Sequence, residues 1–241
     1  LLKQVGTVEI VFADIDNTQY KQKFVLPYSF KTLIDEYTMK PAVFKNGKMI
    51  FVQPRTGEKV YDFGKVFGKQ ESFCTLHSEL ATLPYSLKNK GIKNCEFRVT
   101  FPSDFTETLV SLINLGFASN KILNYGGRNL KIIDISAEIM DRLLPKPGTK
   151  IKDSELLRVI FNHSMLIMDA LINSDPSTPA GIRDTAIPCS IVAQMIANNL
   201  VVCRGVLSPE QAVPAELFFR ELARRNIYIL NSSEKEMLFY A

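Results

Sequence analysis

Segments of period-two hydrophobicity alternate along this chain with segments of period 3.6, and proline or glycine marks most of the changes. That interleaving argues against a pure helical bundle or a pure β-sandwich and predicts a sheet with helices packed on it. Val8–Ile15 (VEIVFADI) reads as a strand. In PYSFKTLIDEYTM, Phe30, Leu33, Ile34 and Tyr37 recur at helical spacing, with Pro27 suited to a first turn and Lys40-Pro41 as the stop. In AVFKNGKMIFV, Asn46-Gly47 is a two-residue hairpin signal, because both residue types tolerate positive φ. KVYDF is expected to extend the same sheet.

Residues 65–91 show no clear period and read as irregular. Ile92–Phe101 (IKNCEFRVTF) alternates as a strand, and Pro102-Ser103-Asp104 supplies helix-start chemistry for FTETLVSLINLG, with Gly116 as its stop. A polar turn, Asn124–Arg128, leads to a helix, IIDISAEIMDRLL, before the break at Pro145, Pro147 and Gly148. LLRVIFNHSMLIMDALI reads as two strands turning at Asn162-His163-Ser164, with one apolar helix as the alternative. NSDPSTPAG is a loop, and IPCSIVAQMIANNL (Ile187–Leu200) is a helix apolar nearly all round, as if buried against another domain. AELFFRELARR closes as a helix and NIYIL as a strand. The expected class is α/β (α+β), a mixed sheet covered by helices. Residues 1–148 form the main domain, and 149–241 complete the sheet and pack toward a further domain.

Charge and motifs exclude more than they assign. The net charge is only +4, and Lys and Arg are scattered, so a solvated surface is expected rather than a nucleic-acid footprint. Four cysteines without a CxxC pair, and only two histidines, argue against a zinc site. The cysteines read as reduced, mostly buried thiols of a cytoplasmic protein. No segment has the length or pattern of a membrane span or signal peptide. None of the twelve glycines forms GxGxxG or GxxxxGK[ST], and Gly126-Gly127 reads as a turn. GxSxG, HExxH and Cys/His constellations are missing too. The first residue is Leu1, a few positions before a strand, so a longer parent protein is expected.

Three segments in order carry a resemblance: LPYSFKTLIDEYTMKPAVFKNGK (Leu26–Lys48), TLHSELATLPYSL (Thr75–Leu87) continuing into GIKNCEFRVTFPSDFTETLVSLINLGF, and IPCSIVAQMIANNLVVCRGVLSPEQAVP. They are similar to the C-terminal region of the saccharopine dehydrogenase family, with its aromatic-Ser segment, its His-Ser-Glu-Leu-x-Thr-Leu-Pro element and its closing helix. The resemblance implies a substrate-binding and dimerisation domain of a two-domain dehydrogenase. Such enzymes make or cleave a secondary amine between an amino acid and an oxo acid, in lysine metabolism among other settings. The cofactor is NAD(P), bound by an upstream domain; none is expected on this chain alone. The implied partners are an amino-acid-like dicarboxylate and a second copy of the chain. A scaffold or binding protein that kept the fold without the chemistry is the alternative.

The candidate site residues follow. His77 is the candidate catalytic group and carboxylate donor, set against a loop histidine that caps backbone. Ser78 and Glu79 accompany it, Glu79 otherwise reading as a solvated carboxylate. Tyr28, Ser29, Lys31 and Thr32 gather at a helix N-terminus, where an anion is favoured, although ordinary capping explains them equally. Arg98 and Arg128 have the fork geometry for a carboxylate, or for a surface salt bridge. Asp35 and Glu36 point about 100° apart on a helix and cannot pair as acid and base. Cys189 reads as a buried thiol and His163 as a turn residue. The Tyr28–Thr32 helix start and the His77 loop are expected on one side of the sheet, lining one concavity near the Ile187–Leu200 helix.

Overall fold

Strand β1 (Thr7–Asp16) organises the molecule, because a neighbour strand occupies each of its edges. The computed structural model describes residues 2–233 and 236–237. β1 pairs in parallel with β6 (Asn94–Thr100), placing Val11 opposite Arg98, and antiparallel with β9 (Asp153–Phe161), placing Val11 opposite Arg158. β9 turns into β10 (Leu166–Asn173), and β11 (Tyr228–Asn231) and β12 (Glu236–Met237) follow outward. Along the other edge of β6, β2 (Ala42–Lys45) pairs near its start and carries β3 (Lys48–Phe51). β5 (Lys69–Cys74) pairs with the end of β6 and carries β4 (Lys59–Asp62). The result is a mixed ten-stranded sheet in which, among the described residues, β1–β6 is the parallel pair.

Alternation along the strands assigns the faces. Val8 and Ile10 of β1 join Cys95, Phe97 and Val99 of β6 in a core shared with α1 (Phe30–Thr38), α3 (Glu79–Ser86), α4 (Ser103–Asn114) and α5 (Ile132–Met140). Further along the same face, Ile172 of β10 packs under α6 (Ala180–Ala197) and α8 (Ala215–Ala223). The opposite face carries Val11, Ala13, Leu156 and Ile160, covered by Phe63 and by Phe67 of the short α2 (Gly64–Phe67). A second short helix, α7 (Pro209–Ala212), follows α6 and touches α3.

Helix α1 forms where its periodicity predicts. Phe30, Leu33, Ile34 and Tyr37 are all buried, each worth roughly 1.5–3 kcal/mol relative to exposure. The Ser29 side chain accepts from the Thr32 N–H, and Met39 turns extended ahead of Lys40-Pro41. The Asn46-Gly47 hairpin also forms as read, with φ of 51° and 78° at its two turn residues. The Asn162-His163-Ser164 segment makes a hairpin turn, not a helix. All three residues have positive φ, and the Asn162 Oδ1 accepts from the Gly6 N–H at 2.7 Å, tying the turn to the start of β1.

Weaker local patterns were misread. Residues 65–91 contain β5 and α3, and α3 keeps Pro84 inside it, a residue that normally ends a helix. The Asn124–Arg128 turn is the tip of a separate hairpin, β7 (Ile122–Tyr125) and β8 (Arg128–Lys131). The helix expected from Ile187 starts at Ala180, just after Pro179, and accommodates Pro188. It is not buried all round: Ile182, Ile196 and Cys189 are exposed. Of the four free cysteines, Cys74 and Cys95 are buried and Cys189 and Cys203 exposed, so the expected burial of Cys189 is corrected.

Candidate functional site

After β5 ends, Thr75 donates its N–H to the Phe97 carbonyl at 3.1 Å, which holds the following loop against β6. The His77 ring then lies flat on the Phe97 ring, with centroids 3.8 Å apart and planes 6° off parallel. Its Nδ1 meets the Glu79 carboxylate, the first residue of α3, and the Ser78 hydroxyl donates to the same oxygen at 3.4 Å. Burial opposes ionisation of Glu79, but the bond to His77 and the imidazole's charge hold its carboxyl below the usual range. A carboxylate on Nδ1 fixes the ring and leaves Nε2 to address a ligand, the arrangement a positioned acid–base histidine requires.

Tyr28, two residues ahead of α1, is tied to this pair through Glu36, which feels the His77 charge. Its hydroxyl donates to Glu36 at 2.7 Å, and burial, then the neighbouring Glu36 charge, push the phenol far above its ordinary value. Burial also raises Glu36, while the Tyr28 bond and the His77 charge pull it back. Glu36 is thus part of the site, although adjacency to Asp35 gave no hint of it. A two-turn reach from a tyrosine ahead of the helix was the signal available.

Asp14 was missed as well. It continues the inward register of Val8, Ile10 and Phe12, and an acid at such a position in an apolar strand is the signal that could have found it. Burial, then the charges of Asp16 and Asp153, raise its carboxyl to about 6. It lines a cleft of about 480 Å³ with Tyr20, Phe24, Pro27, Phe101 and Phe105. That cleft lies past the carboxyl ends of the parallel pair β1–β6, where open α/β sheets take their ligands. The Asp14 charge also reaches the Tyr28 phenol.

The other expected residues go elsewhere. Lys31 pairs with Asp134 of α5 at 2.6 Å, and the Ser29 and Thr32 hydroxyls bond each other at 2.8 Å. The Asp141 carboxylate accepts the Phe30 N–H at 2.8 Å, so an internal anion occupies the start of α1. Arg98 lies on the opposite face of the sheet from His77. It is 3% exposed and donates to Glu96 at 2.8 Å and to the Gly57 carbonyl at 2.5 Å. Gly57 has φ +73°, and a Cβ there would stand 3.4 Å from the Arg98 guanidinium, so this corner admits only glycine comfortably. Arg128 begins the exposed strand β8. His163 sits in the β9–β10 turn and lines a cavity of about 330 Å³ on the Arg98 face. The structure therefore gathers His77, Ser78 and Glu79, ties Tyr28 to them only through Glu36, and engages Ser29, Lys31, Thr32 and Arg98 elsewhere.

A dinucleotide pyrophosphate needs glycines at a strand-to-helix turn and free N–H groups behind them. The β1–α1 connection, residues 17–29, contains no glycine, and Gly126-Gly127 tops a hairpin instead. The residues here do not fit that group, so no step is assigned through it. Among the described residues, no cluster of three or more His, Cys, Asp or Glu is placed to hold a metal, and no helix is long and apolar enough to cross a membrane.

The fold is similar to that of an apo histidine-tagged saccharopine dehydrogenase (L-Glu forming) from Saccharomyces cerevisiae, with a TM-score of 0.66 at 10% identity. The match covers 94% of this chain and 66% of the yeast one, so this chain spans just under two thirds of that protein's length. Residues 5–227 match the saccharopine dehydrogenase C-terminal domain, and the chain belongs to that family.

Proposed function

We propose that this chain is the substrate-binding and dimerisation region of an NAD(P)-dependent oxidoreductase that acts on a secondary amine joining an amino acid and an oxo acid. The observation that carries the reading is the family match over residues 5–227, and the site geometry gives it residues. Full-length members of this family depend on NAD(P), which supplies the redox chemistry. His77 Nε2, with Glu79 fixing the ring, holds a substrate carboxylate or moves a proton at the amine. Tyr28 keeps its proton and orients Glu36. Asp14, poised near neutrality, faces the cationic amine, since a carboxyl at about 6 both attracts a secondary ammonium and accepts its proton. Residues 149–241 complete the sheet, and α6 packs toward the cofactor domain. The sheet face away from α1 and α6 offers Ile15, Ile167 and Leu171, half-buried, to a second copy.

The test is a screen of amino-acid and oxo-acid pairs for NAD(P)H oxidation by the full-length protein, with His77→Ala and Asp14→Asn beside it. Turnover that falls tenfold or more in both variants supports the reading. A folded full-length protein inert toward every pair sinks it and favours a scaffold that kept the fold alone.

A further inference from the structure

Arg55 belongs to none of the groups above. It lines a cavity of about 370 Å³ between the loop before β4, strand β5 and the first turn of α4, on the other side of that turn from the Asp14 cleft. Its Nε is buried with no hydrogen-bond partner, and among the described residues no carboxylate closes an ion pair with it. Its charge is nevertheless felt by the Tyr37 phenol, whose hydroxyl bonds that of Thr106 at 2.9 Å in the cavity wall. A guanidinium left open beside hydroxyls is a fork for a carboxylate.

Three carboxylates, Glu58, Glu71 and Glu107, line the same cavity without pairing to Arg55. One cation against three anions makes the site negative overall, which repels phosphate or a simple oxo acid. A ligand with both charges satisfies the set: its carboxylate on Arg55, its ammonium toward the glutamates. Phe73 and Phe101, whose rings stack at 6.3 Å, give a wall for an apolar side chain. The cavity volume falls within the roughly 300–1,000 Å³ typical of small-molecule sites. We propose that the Arg55 cavity is a second ligand site that binds a free α-amino acid through its zwitterionic head group. It is separate from the His77 residues, so its occupancy does not depend on the proposed reaction.

Calorimetric titration of the purified chain tests this with L-norleucine, with 2-oxohexanoate (no ammonium), with pentylamine (no carboxylate) and with inorganic phosphate. L-Norleucine is expected to bind, and the other three at least about tenfold more weakly. Arg55→Ala and Arg55→Gln should each lose at least about tenfold in L-norleucine affinity while keeping the wild-type circular dichroism spectrum. His77→Ala should bind it unchanged, which separates this site from the proposed substrate site. The proposal is overturned if L-norleucine shows no heat at about ten millimolar, or if its affinity survives Arg55→Ala. It is equally overturned if 2-oxohexanoate or phosphate binds as tightly, which would mark a plain anion site.

Discussion

Replacing Glu155 by glutamine should make this protein more stable at neutral pH, because the native structure forces that carboxyl to keep its proton. Glu155 points from β9 at the first turn of α6, where a Cβ on Gly181 would lie 2.7 Å from its Oε1. Among the described residues its buried Oε2 has no hydrogen-bond partner, and the acid beside it is Asp184 of α6. Burial, then Asp184, then the charges of Asp14 and Asp153, raise Glu155 from 4.5 to about 9. Burial also raises Asp184. Between those limits the unfolded chain ionises Glu155 while the folded chain holds the proton, so the native state binds more protons and stability falls as pH rises. The cost accumulates at about 1.4 kcal/mol per unit, reaching about 3 kcal/mol at pH 7. Glutamine keeps the shape and the donor toward Asp184 without the ionisation. Urea unfolding followed by circular dichroism should show the variant gaining up to about 3 kcal/mol near pH 7. The gain should shrink toward about pH 5 and grow toward about pH 8.5, against a wild type that weakens over the same interval. Asp14, also raised, bends the wild-type curve the same way. A variant less stable than wild type near pH 7, or a wild type that gains stability from about pH 5 to about pH 8.5, would show that the folded chain does not hold this proton.

On the other face of the sheet, Arg158 grips Asp169 at 2.8 and 2.7 Å, with the Ser232 hydroxyl on the same carboxylate at 2.5 Å. Removing one partner of such a buried pair strands the other, so Asp169→Ala should cost about 3–5 kcal/mol in chemical unfolding. A loss under about 1 kcal/mol would show the pair to be solvated. Sedimentation at tens of micromolar should reveal a species heavier than 27.2 kDa, and a monomer throughout would remove the dimer interface from the proposal. Fluorescence titration should find no tight NAD(P)H binding to this chain by itself, and micromolar affinity would mean that a cradle exists away from the β1–α1 connection and the Gly126-Gly127 turn.

Much of the fold was legible because its determinants are local. The α1 stripe and the Asn46-Gly47 turn each depend on a few neighbouring residues, and both formed where the pattern placed them. α3 was not legible: Pro84 contradicts a helix locally, and the burial of Leu80 and Pro84 against the sheet overrides it. The site divides in the same way. His77 could be singled out in sequence, but its Glu79 partner reads locally as a solvated acid. Arg98 need not have been grouped with His77, since alternation in IKNCEFRVTF puts it on the face opposite Phe97, the residue that His77 stacks upon. Asp14 depends on the β1–β9 register, which sets it across from Glu155 and near Asp153, and no local pattern encodes that pairing. The Asp141 carboxylate at the start of α1 comes from 111 residues away, so the filling of that anion site was invisible as well.

Whether the Tyr28, His77 and Glu79 group addresses the substrate is read from kcat/KM of the full-length protein for its best amino-acid and oxo-acid pair. Loss of a hydrogen bond to a charged group costs roughly 1.5–3 kcal/mol, so His77→Ala should lower kcat/KM by about tenfold or more. The melting temperature should fall far less than for a core truncation, because the His77 side chain is 41% exposed and meets the core through its ring stack on Phe97. A kcat/KM equal to that of wild type in a fully folded His77→Ala protein would contradict the account and return His77 to the role of a loop residue stacked on Phe97.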